Sequence, residues 1–543
     1  MVMTEGASWE DVAARFAWNV PDRYNAARDT CDRHLGRANP ALVVETSKGV
    51  VRHSYDELSD LASRFGHLAQ EQGLGRGDYV GVLAQPGLAT PAVTIGAWKA
   101  GAAVCPMSTH FAPEALAFRL RAASIGLLVV DRENEARARQ AVQIAGRPVR
   151  ILVSDAGAGE ADALSAALAG RPSRFETADT RADDPLSLNF TSGTTGQPKG
   201  VVAPQSHMLG QVAAMEWLYD YPRAGEVIWS PAEWAWLAGH MCTLMTGLFL
   251  GMTVVAQPRA GAFDAAETFR TLAEHGVNRV FLVPTMLKMM RQVPLAQQRR
   301  GDLQVRAVIT GGEPCGAELY RWVEEVFGAP LNETFGQTEC STLLVNNQRR
   351  MRAPHGCLGR AVPGHEAAIV DDAGARLAAG EIGQIAVRRP HPIIFREYLG
   401  NPQATADKMV GAWMLTGDLG RQDEDGFFWY VGRADDVITS SGYRIGPSEV
   451  EDALLAHPSV ALAAVIGLPD PDRTEIVAAF IRLAEGAAPS DALKEELRLF
   501  VRGRLARHEA PRRIEFVDDL PTTPTGKLMR KALREQVLAA ERA

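Results

Sequence analysis

Between Tyr79 and Gly336 the chain repeats one texture, in which short runs of β-branched and apolar residues are each followed by a stretch with helical spacing. The clearest runs are Tyr79-Val80-Gly81-Val82-Leu83, Gly126-Leu127-Leu128-Val129-Val130, Arg279-Val280-Phe281-Leu282-Val283 and Val305-Arg306-Ala307-Val308-Ile309. Near-continuous apolar strands separated by helices predict parallel sheets, because the crossover helices cover both faces. After Gly356 the texture changes. Glu366 to Asp371, Ile382 to Arg388 and Phe427 to Val431 read as strands joined by Gly/Asp turns, which predicts a small antiparallel barrel or sheet. Gly432-Arg433-Ala434-Asp435-Asp436 marks a second change. Beyond it come a helix from Pro447, strands near Val460 to Gly467 and Ile476 to Leu483, and helices from Asp491 and Leu528. The fold class predicted is α/β. A large N-terminal domain, 1–432, holds two parallel-type βα sheets and the small antiparallel barrel, and a small α+β domain follows over 433–543.

At 543 residues the chain exceeds one ordinary core, in keeping with that division. A hydrophobic share of 46% beside 22% charged residues is that of a globular protein. The net charge of −8 argues against a nucleic-acid or membrane-surface binder, so any polyanion must be gripped locally. Six cysteines without paired spacing suit a reducing compartment and give no zinc pattern. Cys31-Asp32-Arg33-His34 is a lone C-x-x-H and reads as a surface helix. The N-terminus lacks a signal-peptide profile. The longest apolar run, Met241 to Ala256, is shorter than the roughly 20 residues that span a bilayer and reads as a buried helix followed by a strand. A cytoplasmic protein with no integral membrane segment is expected; a homodimer is compatible with the sequence. Gly73-Leu74-Gly75-Arg76-Gly77-Asp78 precedes a strand instead of following one, so it reads as a turn, not a dinucleotide fingerprint.

The stretch Asn189-Phe190-Thr191-Ser192-Gly193-Thr194-Thr195-Gly196-Gln197-Pro198-Lys199-Gly200 carries three glycines, four hydroxyl side chains and a lysine directly after an apolar strand. Glycines let backbone N–H groups approach an anion, hydroxyls add donors, and Lys199 adds a cation. Pro198 would obstruct the helix that a nucleotide loop of the G-x-x-x-x-G-K-[ST] kind begins, so phosphate binding survives while a kinase or GTPase reading does not.

The motif T-S-G-T-T-G-x-P-K-G resembles the signature of the adenylate-forming superfamily: acyl-CoA synthetases, adenylation domains of peptide synthetases, and luciferases. Companion motifs stand in family order along nearly the whole chain. Gly311-Gly312-Glu313-Pro314 resembles the segment along the adenine, and Thr334-Phe335-Gly336-Gln337-Thr338-Glu339 the Y-G-Q-T-E motif. Leu415-Thr416-Gly417-Asp418 resembles the motif of the ribose aspartate, Gly432 to Asp436 the hinge, and Pro524-Thr525-Gly526-Lys527 the motif of the catalytic lysine. The likeness is strongest to medium-chain acyl-CoA synthetases, best carried by Gly432 to Glu451.

The resemblance implies ATP, Mg²⁺ and coenzyme A, with a small carboxylic acid as the remaining substrate. It assigns Thr191, Ser192, Gly193, Thr194, Thr195, Gly196 and Lys199 to the β- and γ-phosphates. Gly312, Glu313, Pro314, Thr334, Phe335, Gly336 and Gln337 fall to the nucleotide, Thr338 to the α-phosphate, and Glu339 to the metal. Asp418 and Arg433 meet the ribose, and Lys527 bridges carboxylate and α-phosphate. Phe335 stands where tyrosine is usual; its ring keeps the stacking surface and loses the hydroxyl. The family's C-terminal domain rotates about a hinge aspartate, here Asp435, bringing Ser441, Gly442, Tyr443 and Arg444 toward CoA, with Arg473 and His110 as further candidates. His110 reads equally as a structural histidine.

Trp236 belongs to the acyl pocket by the same likeness, while Trp234 reads equally as pocket or core. Leu237, Met241 and Leu244 would supply apolar lining. Acetate-specific relatives carry tryptophan at the position of Gly336, so glycine implies a longer acid: medium-chain, branched or aromatic. On that reading Gly336→Trp should shift preference toward acetate. Alternatives are an adenylation enzyme that loads a carrier protein, an inactive adenylate binder, and a luciferase-like oxidase.

Overall fold

The computed structural model describes residues 2–542 apart from 158, 161, 192–197, 260, 262, 295–297, 299, 314, 435, 437, 441–442, 471–472, 506–508 and 523–527; of 300, 439, 443, 444 and 542 it describes the backbone alone. By internal contacts the chain divides into two compact units. One comprises Met1–His355, Gly359–Glu366 and Arg388–Met414, the other Gly356–Leu358, Ala367–Val387 and Leu415–Ala543. The sequence boundary at Gly432 falls inside the second.

Two sheets organise the first unit. In one, the strands run in the order Glu397–Tyr398, Lys199–Pro204, Pro185–Thr191, Ala103–Pro106, Tyr79–Leu83, Leu127–Val130, Arg150–Val153. The last five are parallel. Tyr79–Leu83 is buried at every position, as a strand covered on both faces must be. Helices such as Arg132–Ala145 make the crossovers: Asp131 caps its start by accepting from the Asn134 N–H, and Gly146, at φ +64°, ends it in the left-handed conformation. In the other sheet, parallel strands run from Leu331–Gln337 through Ala307–Gly311, Arg279–Phe281, Val227–Trp229 and Thr253–Ala256 to Leu42–Thr46, with antiparallel neighbours at both edges.

The second unit begins with an antiparallel sheet built on Ala367–Val370, Gly383–Arg388, Trp413–Gln422 and Phe428–Arg433. A further sheet pairs Tyr443–Ile445, Ile438–Ser440, Thr474–Leu483 and Val460–Asp470, with Arg513–Phe516 parallel to Thr474–Leu483. Helices Pro447–Leu455, Asp491–Arg502 and Arg530–Arg542 accompany it. The α/β class and the order of elements are those the hydrophobic pattern predicts.

Lys199–Pro204 is a strand that pairs antiparallel with Pro185–Thr191. One reading, the surface placement of Cys31 and His34, needs correction. Cys31 and His34 are not on a surface helix: both are buried, and His34 Nε2 lies 2.8 Å from the Phe249 carbonyl oxygen. Burial lowers the His34 pKa to about 4, which keeps the ring neutral. The Met241 to Ala256 run forms the expected buried helix followed by a strand, as a π-helical segment Ala238–Met245, a short helix Thr246–Phe249 and the strand Thr253–Ala256. No helix among the described residues is long and apolar enough to cross a membrane.

Candidate active site

The parallel sheets bring several motif residues of the first unit to their strand ends. Thr191 closes the strand Pro185–Thr191, directly opposite Lys199 in the antiparallel register, so the phosphate-loop lysine is fixed beside the last strand residue. The Lys199 ammonium sits 5.2 Å from the centroid of the Tyr398 ring. Tyr398 in turn donates from its hydroxyl to Glu339 Oε1 at 2.5 Å. Glu339 is buried, and its backbone carbonyl accepts from the Phe395 N–H at 2.7 Å. Three segments distant in sequence thus converge on one cation and one carboxylate. Nothing around Tyr398 or Phe395 in the sequence announced this part.

Thr334, Phe335, Gly336 and Gln337 lie on the strand Leu331–Gln337, whose hairpin partner is Ser341–Asn346. Thr334 Oγ1 donates to the Leu344 carbonyl, and Lys408 Nζ donates to Gln337 Oε1 at 3.4 Å. Gly312 adopts φ +88°, where a side chain would be strained. Glu313 Oε2 accepts from the Thr285 hydroxyl at 2.6 Å. At Gly336 the pairing shifts, and an added Cβ would lie 1.6 Å from the Ser341 carbonyl oxygen. The glycine is therefore required by the close approach of the two strands, whatever the length of the acid. Gly336→Ala should lower the thermal midpoint of the full chain before any change in acid preference can be read, and Gly336→Trp more so. A variant with an unchanged melt would refute that account.

A cavity of about 170 Å³ opens beside these strand ends, lined by Ser108, Phe111, Arg119, Asn189, Phe190, Thr191, Trp236, Leu237 and Thr338 among others. Trp236 donates from its indole N–H to Glu233 Oε2 at 3.1 Å, while Glu233 also accepts from Ser108 and Thr109. This carboxylate ties the Trp236 segment to the residues before Phe111, a role that sequence reading missed. Trp234, Met241 and Leu244 are instead buried among core residues and do not line the cavity. His110 is exposed, its N–H donating to the Ser108 hydroxyl.

In the second unit, Asp418 is buried and faces Arg433 across the strand pair Trp413–Gln422 and Phe428–Arg433. Arg433 Nη1 lies 3.4 Å from Asp418 Oδ1, and the Tyr430 hydroxyl donates to the same oxygen at 3.4 Å. Burial, then the Asp418 charge, hold the Tyr430 hydroxyl well above its ordinary pKa. Thr416 Oγ1 accepts from the Asp418 N–H at 3.1 Å and donates to the Ile385 carbonyl, setting the direction of the strand at the aspartate. Arg530 makes a two-pronged pair with Glu451 at 2.8 and 2.6 Å and lies 3.3 Å from Asp436 in the hinge motif. Burial opposes its charge, but the Glu451 hydrogen bonds and charge outweigh that and hold the guanidinium above its ordinary pKa. Arg530 stands three residues beyond Lys527 and was legible only as part of that motif's tail.

Tyr443–Ile445 pairs with Ile438–Ser440, and Ser440 pairs with Thr474, so Tyr443, Arg444 and Arg473 are brought to one region of a sheet. Ser192, Gly193, Thr194, Thr195, Gly196, Pro314, Asp435, Ser441, Gly442 and Lys527 lie outside the described residues.

The model of the AMP-binding enzyme family matches residues 30–399, and that of its C-terminal domain residues 449–527. The chain belongs to the AMP-binding enzyme family. Within it, this family member is 33% identical to the acetyl-coenzyme A synthetase of Bacillus subtilis over 97% of this chain and 93% of the relative. It is also 33% identical to the benzoate–CoA ligase of Thauera aromatica, over 95% and 97%. The solved structure of the anthranilate CoA ligase AuaEII with anthranoyl-AMP superposes with a TM-score of 0.84 at 27% identity, covering 97% of this chain and 99% of that one. The chain is thus an enzyme of the acyl-CoA synthetase class.

Proposed function

We propose that this enzyme activates a medium-chain, branched or aromatic carboxylic acid with ATP as an acyl-adenylate and passes the acyl group to coenzyme A, releasing AMP and pyrophosphate. The observation that carries the reading is the convergence of Thr191, Lys199, Tyr398 and Glu339 at the strand ends bordering the Trp236 cavity. A phosphate chain and an acid would meet there.

In the first step a carboxylate oxygen bonds to the α-phosphorus as pyrophosphate leaves in line, a reaction helped chiefly by alignment and charge stabilisation. Lys199 and the hydroxyls of the loop hold the β- and γ-phosphates, and Thr338, which lines the cavity, meets the α-phosphate. Lys527 offsets the charge that grows between the two reactants. Mg²⁺ commonly uses one or two protein carboxylates together with substrate phosphates, and a single buried Glu339 with one oxygen held by Tyr398 fits that demand. When bound, the metal would neutralise phosphate charge. Asp418 and Arg433 take the ribose hydroxyls. In the second step the CoA sulfur bonds to the acyl carbon and AMP departs. Residues 433–543 would act as the moving domain, turning about Asp435 so that Ser441, Gly442, Tyr443 and Arg444 replace Lys527, with Arg473 and His110 near the nucleotide end of CoA.

The test is a panel of carboxylic acids with ATP and CoA, reading AMP and thioester by mass spectrometry. Equal AMP and thioester from an acid longer than acetate is expected. AMP without thioester would point to a carrier protein as acceptor, and no AMP from any acid would sink the proposal.

A further inference from the structure

Among the described residues, the buried lysine and arginine side chains of the first unit are Lys99, Arg119 and Arg279. Lys99 pairs with Asp32 at 2.6 Å and Arg279 with Glu226 at 3.0 Å, as buried charges ordinarily must. Arg119 has no acidic partner among the described residues. Its guanidinium lies 3.8 Å from the Phe111 ring centroid and 5.4 Å from that of Phe190, and one N–H donates to the Ala115 carbonyl one turn back in its own helix. A guanidinium carries five donors, so most of its capacity is not used by that bond.

Arg119, Phe111 and Phe190 all line the Trp236 cavity. Phe111 meets Trp236 edge to face, with centroids 5.9 Å apart. The cavity therefore offers aromatic walls with a cation set among them, while Asn189, Thr191 and Thr338 supply polar groups at the strand ends. Aromatic faces repay part of the cost of burying a guanidinium but supply no acceptor for its N–H groups. Burial lowers the Arg119 pKa to about 10, still charged at neutral pH. A guanidinium that lines an open cavity, with no carboxylate beside it among the described residues, suits an acceptor that enters with a ligand.

We propose that Arg119 is a specificity residue that takes an acceptor oxygen on the acid substrate, so that the preferred acids carry a second oxygen-bearing group distant from the carboxylate that is activated. This rests on the proposed function and narrows it. The apolar or aromatic middle of such an acid lies against Phe111, Phe190 and Trp236, and its far carboxylate or hydroxyl reaches the guanidinium. The acid is favoured over CoA as the source of the oxygen because Trp236 and Leu237, the acyl-site residues by likeness, line the same cavity.

The experiment compares size-matched acids, hexanoate against adipate and benzoate against 4-hydroxybenzoate, in the wild type, Arg119→Met and Arg119→Lys. Turnover and direct binding of each acid by calorimetry are read together. Wild type should favour the oxygen-bearing member of at least one pair by about tenfold or more in kcat/KM, the scale of a charge-assisted hydrogen bond. Arg119→Met should bring that ratio near unity, and Arg119→Lys should restore part of it. A wild type that prefers the oxygen-free member of both pairs overturns the proposal, even if neither variant folds. So does a ratio that Arg119→Met leaves intact, or a rise confined to the KM for CoA, which would assign the cation to the pantetheine amides. Should no acid yield AMP, the function fails, while the binding ratios still decide what Arg119 recognises.

Discussion

Arg530→Met should loosen the C-terminal part of the second unit by about 3–5 kcal/mol, the usual cost of leaving one member of a buried ion pair behind. The reason is Glu451, whose carboxylate is buried and takes two bonds from the guanidinium while also accepting from the Val465 N–H at 2.9 Å. Without the cation, that carboxylate must ionise in an apolar surrounding or take up a proton. Native-state hydrogen exchange on the full chain is the suitable measurement, since a single unfolding free energy is ill defined for a chain of more than one unit. Amides of the helices Pro447–Leu455 and Arg530–Arg542 should exchange several hundredfold faster or more, and those of the strand Tyr79–Leu83 should not change. The double replacement Arg530→Met with Glu451→Met should regain much of the protection, because the buried carboxylate left alone by the single change is gone. Unchanged exchange in the single variant would show that the pair contributes little.

Lys527→Ala should lower the rate of acyl-adenylate formation by about 10²–10³-fold, the scale found when one group facing developing charge is removed. Thioester formation from synthetic acyl-adenylate and CoA should persist near the wild-type rate, because that step does not call on the lysine in the proposed mechanism. Separate assays of pyrophosphate release and of acyl-CoA from preformed adenylate distinguish the two. Loss of both in equal measure would mean that the residue supports the fold or serves the whole cycle, and the alternating use of two faces would fall.

The architecture was legible because the chain spaces its apolar runs regularly. Tyr79–Leu83 and Pro447–Leu455 begin where the pattern places them, and the antiparallel texture after Gly356 appears as the sheet around Trp413–Gln422. The error came where a local cue competed with tertiary packing. Cys31 and His34 carry polar neighbours that suggest a surface, but the segment is buried against Phe249 and Tyr55.

Of the site, the motifs gave the residues assigned to substrates in the proposed function, and said little about what orients those residues. Tyr398 and Arg530 act on motif residues from far along the chain, and Glu233 ties Trp236 to the distant Ser108 and Thr109, partners that no local pattern reveals. Gly336 carries a structural demand beside its place in a motif: the near contact with Ser341 already requires glycine, a constraint that the reading of pocket length does not contain.

Asp418 does not wait as a solitary anion. One of its oxygens is already engaged by Arg433 and Tyr430, so in the proposed ribose role the pair would present little net charge to an arriving sugar. Selection of a nucleoside at that point then depends on where lone pairs and hydrogens are aimed, and much less on attraction over distance. Dissolved ions, which weaken long-range attraction but leave the direction of a hydrogen bond alone, have little purchase on such a choice.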